Sequence, residues 1–179
     1  LIFSTTVLGF KIASVARTQA LIALSKKYAV SVYNKEKNSG LLRVSTKGPV
    51  DYWQEMPEAF AGSRINLNFT IPNIKTGLPL RVFDVLGAGG FLLTNFQPEL
   101  PQYFENGKDL VWFTSERELI EKAGYYLAHE KERERIARNG QEKVRRIHTY
   151  MQRITQMLDI LERDGKCHID EKEKEGEFL

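Results

Sequence analysis

One cysteine in 179 residues, Cys167, leaves no partner for an internal disulfide. Stability must then come from a packed core, as is usual in a reducing compartment such as the cytoplasm, which is the expected location. No apolar run approaches the roughly 20 residues needed to cross a bilayer; Gly90-Phe-Leu-Leu and Leu21-Ile-Ala-Leu are among the longest. The opening stretch, Leu1-Ile-Phe-Ser-Thr-Thr-Val-Leu-Gly-Phe, lacks a basic segment and a small-residue cleavage site, which argues against a signal peptide. Neither sign of charge dominates. Lys and Arg (26) nearly balance Asp and Glu (23) and interleave with them, giving +3, so no surface dedicated to nucleic acid is expected. There is no D-x-D pair, and neither a Ser–His–Asp nor a Cys–His arrangement for nucleophilic catalysis is visible. Cys167-His168 is the only metal-like pairing, and two adjacent ligands without a matching cluster do not make a site.

What is present is ordinary for a globular chain: 42% hydrophobic and 27% charged residues. The length fits one domain of ordinary size. That domain is expected over residues 1–164, with a charged tail at 165–179 too poor in apolar groups to order itself.

Strand-like and helix-like segments alternate, the pattern of a parallel sheet wrapped by helices, so the fold class is α/β. A first strand is expected near Phe3 to Leu8 and a helix at Ile12 to Lys27. Strands follow at Ala29 to Tyr33 and Leu41 to Ser45, then a short helix at Asp51 to Phe60 that Pro57 shortens or distorts. Ile65-Asn-Leu-Asn-Phe69 alternates like a half-buried strand with one polar side. A helix at Gly77 to Leu86, a strand at Gly89 to Thr94, a turn or short helix at Pro98 to Phe104 and a strand at Asp109 to Phe113 complete the sheet. Beyond it the chain reads as helical. Ser115-Glu-Arg-Glu118 has the form of a capping box; Leu119, Ile120, Ala123 and Leu127 form a buried stripe; Asn139-Gly140 suggests a break. Ile147, Met151, Ile154, Leu158 and Leu161 then continue at helical spacing.

The informative stretch for chemistry runs from Ile65 to Gly90 as strand, polar loop, helix, glycine turn and strand. In an open α/β sheet, ligands bind where the chain leaves a strand's carboxyl end, and the following helix presents free N–H groups to a phosphate. Thr76-Gly77 holds that position, Gly77 permits close approach to the backbone, and Pro79 suits the first helical turn. Asp84, one turn into the helix, can accept hydrogen bonds from both hydroxyls of a ribose. Arg81, three residues earlier, can pair with Asp84 or contact a diphosphate. On residue chemistry alone, a helix-surface ion pair and a glycine C-cap explain the same residues.

Ser63-Arg-Ile-Asn-Leu-Asn-Phe-Thr, Gly77-Leu-Pro-Leu-Arg-Val-Phe-Asp, Gly89-Gly-Phe-Leu-Leu-Thr-Asn and Gln97-Pro-Glu-Leu resemble the carboxy-terminal glycosyltransferase domain of the CgeB-like (spore maturation protein) family. The resemblance continues through Tyr126-Leu, Ile136-Ala-Arg-Asn-Gly and Val144 to His148-Thr-Tyr, with Arg153 beyond. It is loose over Leu1 to Lys27 and absent from the tail. It implies a Rossmann-like, donor-binding half of a GT-B fold with a helical C-terminal extension. The donor would be a nucleotide diphosphate sugar, expected to be of the UDP type and to need no metal. An unknown acceptor would be held by a separate amino-terminal domain. In related enzymes the equivalent helix carries two glutamates with seven residues between them, the first near the donor sugar and the second on the ribose. Asp84 matches the second; Thr76, which is not acidic, stands at the first. Arg81 matches an arginine of the motif and so becomes a candidate for a diphosphate or sugar contact. Gly48-Pro-Val-Asp-Tyr52 matches the turn that faces the nucleobase, where Tyr52 would stack on the base or serve as core packing. Lys75, ahead of the phosphate-facing turn, is placed either to reach the diphosphate or to remain solvated.

His129 and His168 read as surface residues, His148 reads as packing, and no general base is assigned. The sequence leaves two functions open: a glycosyltransferase, or a non-catalytic nucleotide-binding or interaction module on the same scaffold.

Overall fold

A computed structural model of the chain describes residues 2–34, 43–70, 74 and 76–164, with side chains from residue 11 onward. The tail at 165–179, Leu41-Leu42 and Lys75 lie outside the described residues. The order is α1 (Ile2–Ser25), β1 (Val30–Tyr33), β2 (Val44–Lys47), α2 (Glu55–Gly62), β3 (Asn66–Asn68), α3 (Leu80–Gly87), β4 (Leu92–Asn95), α4 (Leu100–Tyr103), β5 (Val111–Phe113), α5 (Glu116–Ala128), α6 (Glu130–Ile147) and α7 (Tyr150–Arg163). β1 and β2 pair in parallel, and β3, β4 and β5 form a second parallel sheet in sequential order. The α/β expectation holds.

Alternation along β4 places successive side chains on opposite faces of the sheet. Leu93 joins Phe91, Val111 and Phe113 beneath Ala20 and Leu24 of α1, Leu119 and Ala123 of α5, and Ile136 of α6. Leu92 joins Leu110 beneath Val82, Val85 and Leu86 of α3, Leu100 and Phe104 near α4, and Val144 of α6. Both β4 leucines are fully buried, as expected of a strand covered by helices on both faces. α6 contributes to both cores and binds the two layers together.

Three of the expectations that need correction concern α1, α6 and α3. Phe3 to Leu8 is not a strand: α1 runs helically from Ile2 through Gly9. The β-branched Thr5, Thr6 and Val7 suggest a strand, but a helix anchored by buried Ala20 and Leu24 lengthens at one hydrogen bond per added residue. The second correction concerns Asn139-Gly140, which does not break the chain, since α6 passes straight through it. A β-carbon on Gly140 would intrude on the Asp109 carbonyl oxygen and lie 2.8 Å from Leu86 Cδ2. The glycine is there so that α6 can approach α3 and the Asp109 loop. The third concerns the start of α3, at Leu80 rather than Gly77, with Pro79 as its N-cap. Proline disfavours the helical conformation in the residue before it, so Leu78 cannot open the helix.

Ser115 caps α5 by accepting from Glu118 N at 3.2 Å, but the Glu118 carboxylate accepts from Thr114 N and Thr114 Oγ1 instead of closing the box. The complete box belongs to Thr149-Tyr-Met-Gln152 at the start of α7, where Thr149 N donates to Gln152 Oε1 at 2.9 Å and Gln152 N to Thr149 Oγ1 at 3.3 Å. Sequence reading missed it. The stripe expected on α7 is helical yet uncovered: Met151 is 65% exposed, and Ile154, Leu158 and Leu161 are exposed as well.

Gly140→Ala should destabilise the fold by about 1–3 kcal/mol through overpacking. Gly87→Ala, whose nearest neighbour is 4.0 Å away, should be close to neutral. Urea denaturation of the two variants checks both expectations.

Candidate functional site

The turn after β2 is held by its own side chains. Asp51 Oδ1 accepts from Trp53 N at 2.9 Å and Gln54 N at 2.8 Å, while Glu55 Oε2 accepts from Asp51 N at 2.7 Å. This fixes the backbone at Tyr52 as the chain enters α2. Across from it, α3 buries Val82, Val85 and Leu86, which leaves Asp84 half-buried on another side of the helix. Tyr52 Oη donates to Asp84 Oδ1 at 2.9 Å, so two candidates 32 residues apart come together. The bond to the Asp84 carboxylate, followed by burial, the Asp84 charge and the Tyr150 phenol, holds the Tyr52 hydroxyl above its ordinary pKa, with Arg81 opposing. The ring of Trp53, 79% exposed, meets Tyr52 edge-on at 5.1 Å.

Arg81 makes no ion pair with Asp84. Its guanidinium lies over the Phe60 ring, 5.2 Å from the centroid, and Nη1 donates to Met56 Sδ at 2.9 Å. It therefore packs on α2 while remaining close enough to act electrostatically on Tyr52. Thr76 and Gly77 are exposed. Gly77 has φ +84°, a conformation that favours glycine, and faces open space. Because α3 begins only at Leu80, these two residues form a turn ahead of the helix instead of its first turn.

Beneath these loops lies a polar row that the sequence reading placed on a polar side of β3. Asn66 and Asn68 are in fact buried. Asn66 Nδ2 donates to the Phe60 carbonyl at 2.9 Å, and Asn68 Nδ2 donates to Thr94 Oγ1 at 2.9 Å and Thr70 Oγ1 at 3.1 Å. Thr70 donates through its hydroxyl to Gln97 Oε1 at 3.1 Å and through its amide to Asn95 Oδ1 at 2.6 Å. The loops leaving β3 and β4 are thereby tied together at their first residues. No role was read for Thr70, Thr94, Asn95 or Gln97; the available signal was polar residues recurring just where two strands end.

His148, between α6 and α7, is packed as expected, with ring centroids of Phe83, Phe104 and Tyr103 at 5.5, 5.6 and 5.7 Å. Arg153 Nη2 lies 2.5 Å from Nδ1. A guanidinium only donates, so Nδ1 accepts and the proton sits on Nε2, which is buried without a hydrogen-bond partner. Burial first, then the charges of Arg153 and Lys143, push the imidazole below its ordinary pKa. Beside it is an open hollow of about 510 Å³ lined by Tyr103, Phe104, Trp112, Lys143 and His148 among others, and by none of the candidate residues. Among the described residues, no three His, Cys, Asp or Glu gather as a metal site, and no helix is long and apolar enough to cross a membrane.

Parallel strands joined by helical crossovers, with polar groups collected where the loops depart, define the α/β class whose ligands bind at the carboxyl ends of the strands. The same architecture is found in the C-terminal domain of the glycosyl transferase group 1 family protein LpcC from Francisella tularensis. The TM-score is 0.59 and the identity 17%, over 75% of this chain and 78% of that one. It is found also in HepE of Anabaena, solved in complex with UDP-glucose, with a TM-score of 0.60 and 14% identity over 80% of this chain and 44% of HepE. The chain thus has the fold of the C-terminal domains of GT-B glycosyltransferases and spans less than half of HepE's length. No curated protein matches it. Residues 11–159 match the Glycosyl transferase-like family, and the chain belongs to that family.

The folded chain favours the neutral His148 ring more than the unfolded chain does. That contribution is complete above the ordinary imidazole pKa of about 6.5 and is lost as pH falls through the lower folded value. The melting temperature should fall more steeply between about pH 7 and pH 5 in the wild type than in His148→Gln. Parallel curves would remove His148 as a source of that slope.

Proposed function

We propose that residues 1–164 are the donor-binding half of a CgeB-like glycosyltransferase that uses a nucleotide diphosphate sugar, of the UDP type, without a metal. Asp84 accepts from the ribose hydroxyls, Tyr52 lies against the base, and Thr76 and Gly77 with Arg81 and Lys75 receive the diphosphate. A second, amino-terminal domain binds the acceptor, and the protein works in the cytoplasm. The observation that carries this reading is the contact of Tyr52 with Asp84, which joins the base-side turn to the ribose-side helix. Family membership and the UDP-glucose bound to HepE favour the same donor class. The uncovered stripe of Met151, Ile154, Leu158 and Leu161 favours a partner domain against α7.

In this reading the positive potential for the leaving diphosphate comes from Arg81, Lys75 and loop amides, and its effect grows as charge develops in the transition state. Thr76, standing where related enzymes carry the first glutamate, favours a second reading in which the domain binds nucleotide without turnover. Hydrolysis or transfer of a UDP-sugar by the protein carrying its amino-terminal domain separates the two.

Asp84→Ala should weaken UDP binding on the order of tenfold or more, as expected for hydrogen bonds to a charged acceptor, with circular dichroism and melting temperature preserved. Calorimetric titration checks it, and unchanged affinity would overturn the ribose assignment. A panel of nucleoside diphosphates in the same titration identifies the base.

A further inference from the structure

Building on the reading of Asp84 as the ribose carboxylate, we infer that the Tyr52 hydroxyl is a latch on that carboxylate. It holds the acceptor oxygen that a ribose hydroxyl takes, and it leaves when a nucleotide seats. A phenol and a ribose hydroxyl are the same kind of donor, and at 2.9 Å the phenol takes one of the lone-pair positions of Oδ1, so a ribose diol that engages both carboxylate oxygens competes with it. The arm is free and its pivot is fixed. Tyr52 is 39% exposed and belongs to neither core cluster; its recorded ring neighbour is Trp53, itself exposed to solvent. The backbone beneath it is clamped by the Asp51 and Glu55 hydrogen bonds. Rotation of the side chain therefore breaks one hydrogen bond and disturbs no packing in the core.

The contact has two effects in the empty site. It keeps a half-buried carboxylate satisfied, and it returns to Asp84 as a nucleoside diphosphate departs, so it lowers the affinity for product and favours release. Tyr52 remains protonated throughout the physiological range, which keeps it a donor.

Tyr52→Phe keeps the ring for base contact and removes only the hydroxyl. Calorimetry with UDP should show affinity roughly two- to tenfold tighter than wild type, the worth of one ordinary hydrogen bond. The gain should vanish with 2′,3′-dideoxy-UDP, which has no hydroxyl to replace the phenol, and also in an Asp84→Ala background. Unchanged or weaker UDP binding by Tyr52→Phe, or an equal gain with the dideoxy compound, would overturn the latch while leaving the ribose assignment standing. Failure of the underlying reading has a different signature: UDP does not bind the wild type, or Asp84→Ala binds it as well as wild type does, and either result removes the latch too.

Discussion

Parallel pairing of β3, β4 and β5 is the constraint from which the rest of the domain follows. Parallel neighbours cannot be joined by a hairpin, so each connection must return along the sheet before the next strand begins. α3 and α4 lie on these returns and seal one face, while α1 and α5 seal the other. Strands closed on both faces must be apolar in their middles. Buried polar side chains are then held to the ends of the strands, Asn66 where β3 begins and Asn68 and Thr94 toward the ends from which the loops depart.

That confinement gives the buried asparagines their meaning. A buried amide without partners costs about 1–3 kcal/mol, so Asn66 and Asn68 persist because α2, β4 and the loop after β3 supply acceptors. Slippage of β3 along β4 would break the Asn66 bond to the Phe91 carbonyl and the Asn68 bond to Thr94 together. The register of the sheet and the spacing of the loop bases are therefore one property. α6 adds a second lock: through Gly140 it lies against Asp109 and α3, and its residues enter both cores.

Most of this was legible because periodicity survives burial. The alternation at Ile65–Phe69 and the apolar run at Phe91–Leu93 give their strands directly, and Ser115 marks the start of α5. What escaped were features decided by distant partners. Gly140 resembles a helix breaker until the Asp109 carbonyl is seen against it. Thr5, Thr6 and Val7 resemble a strand until α1 is anchored at Ala20 and Leu24. Of the candidate residues, Tyr52 and Asp84 could be named separately, but their contact depends on how α2 and α3 pack. The placement of Arg81 on Phe60 and Met56 was equally out of reach, since an i,i+3 relation to Asp84 is a local fact and the ring beneath the guanidinium is a tertiary one.

The thioether partner of Arg81 has an energetic consequence of its own. Sulfur in methionine is a poor acceptor, so the Nη1 contact with Met56 positions the guanidinium without quenching its charge. A carboxylate in the same place would have formed a forked pair that neutralises it. Here the aromatic ring and the sulfur set the direction of the cation and leave its charge without a neutralising partner.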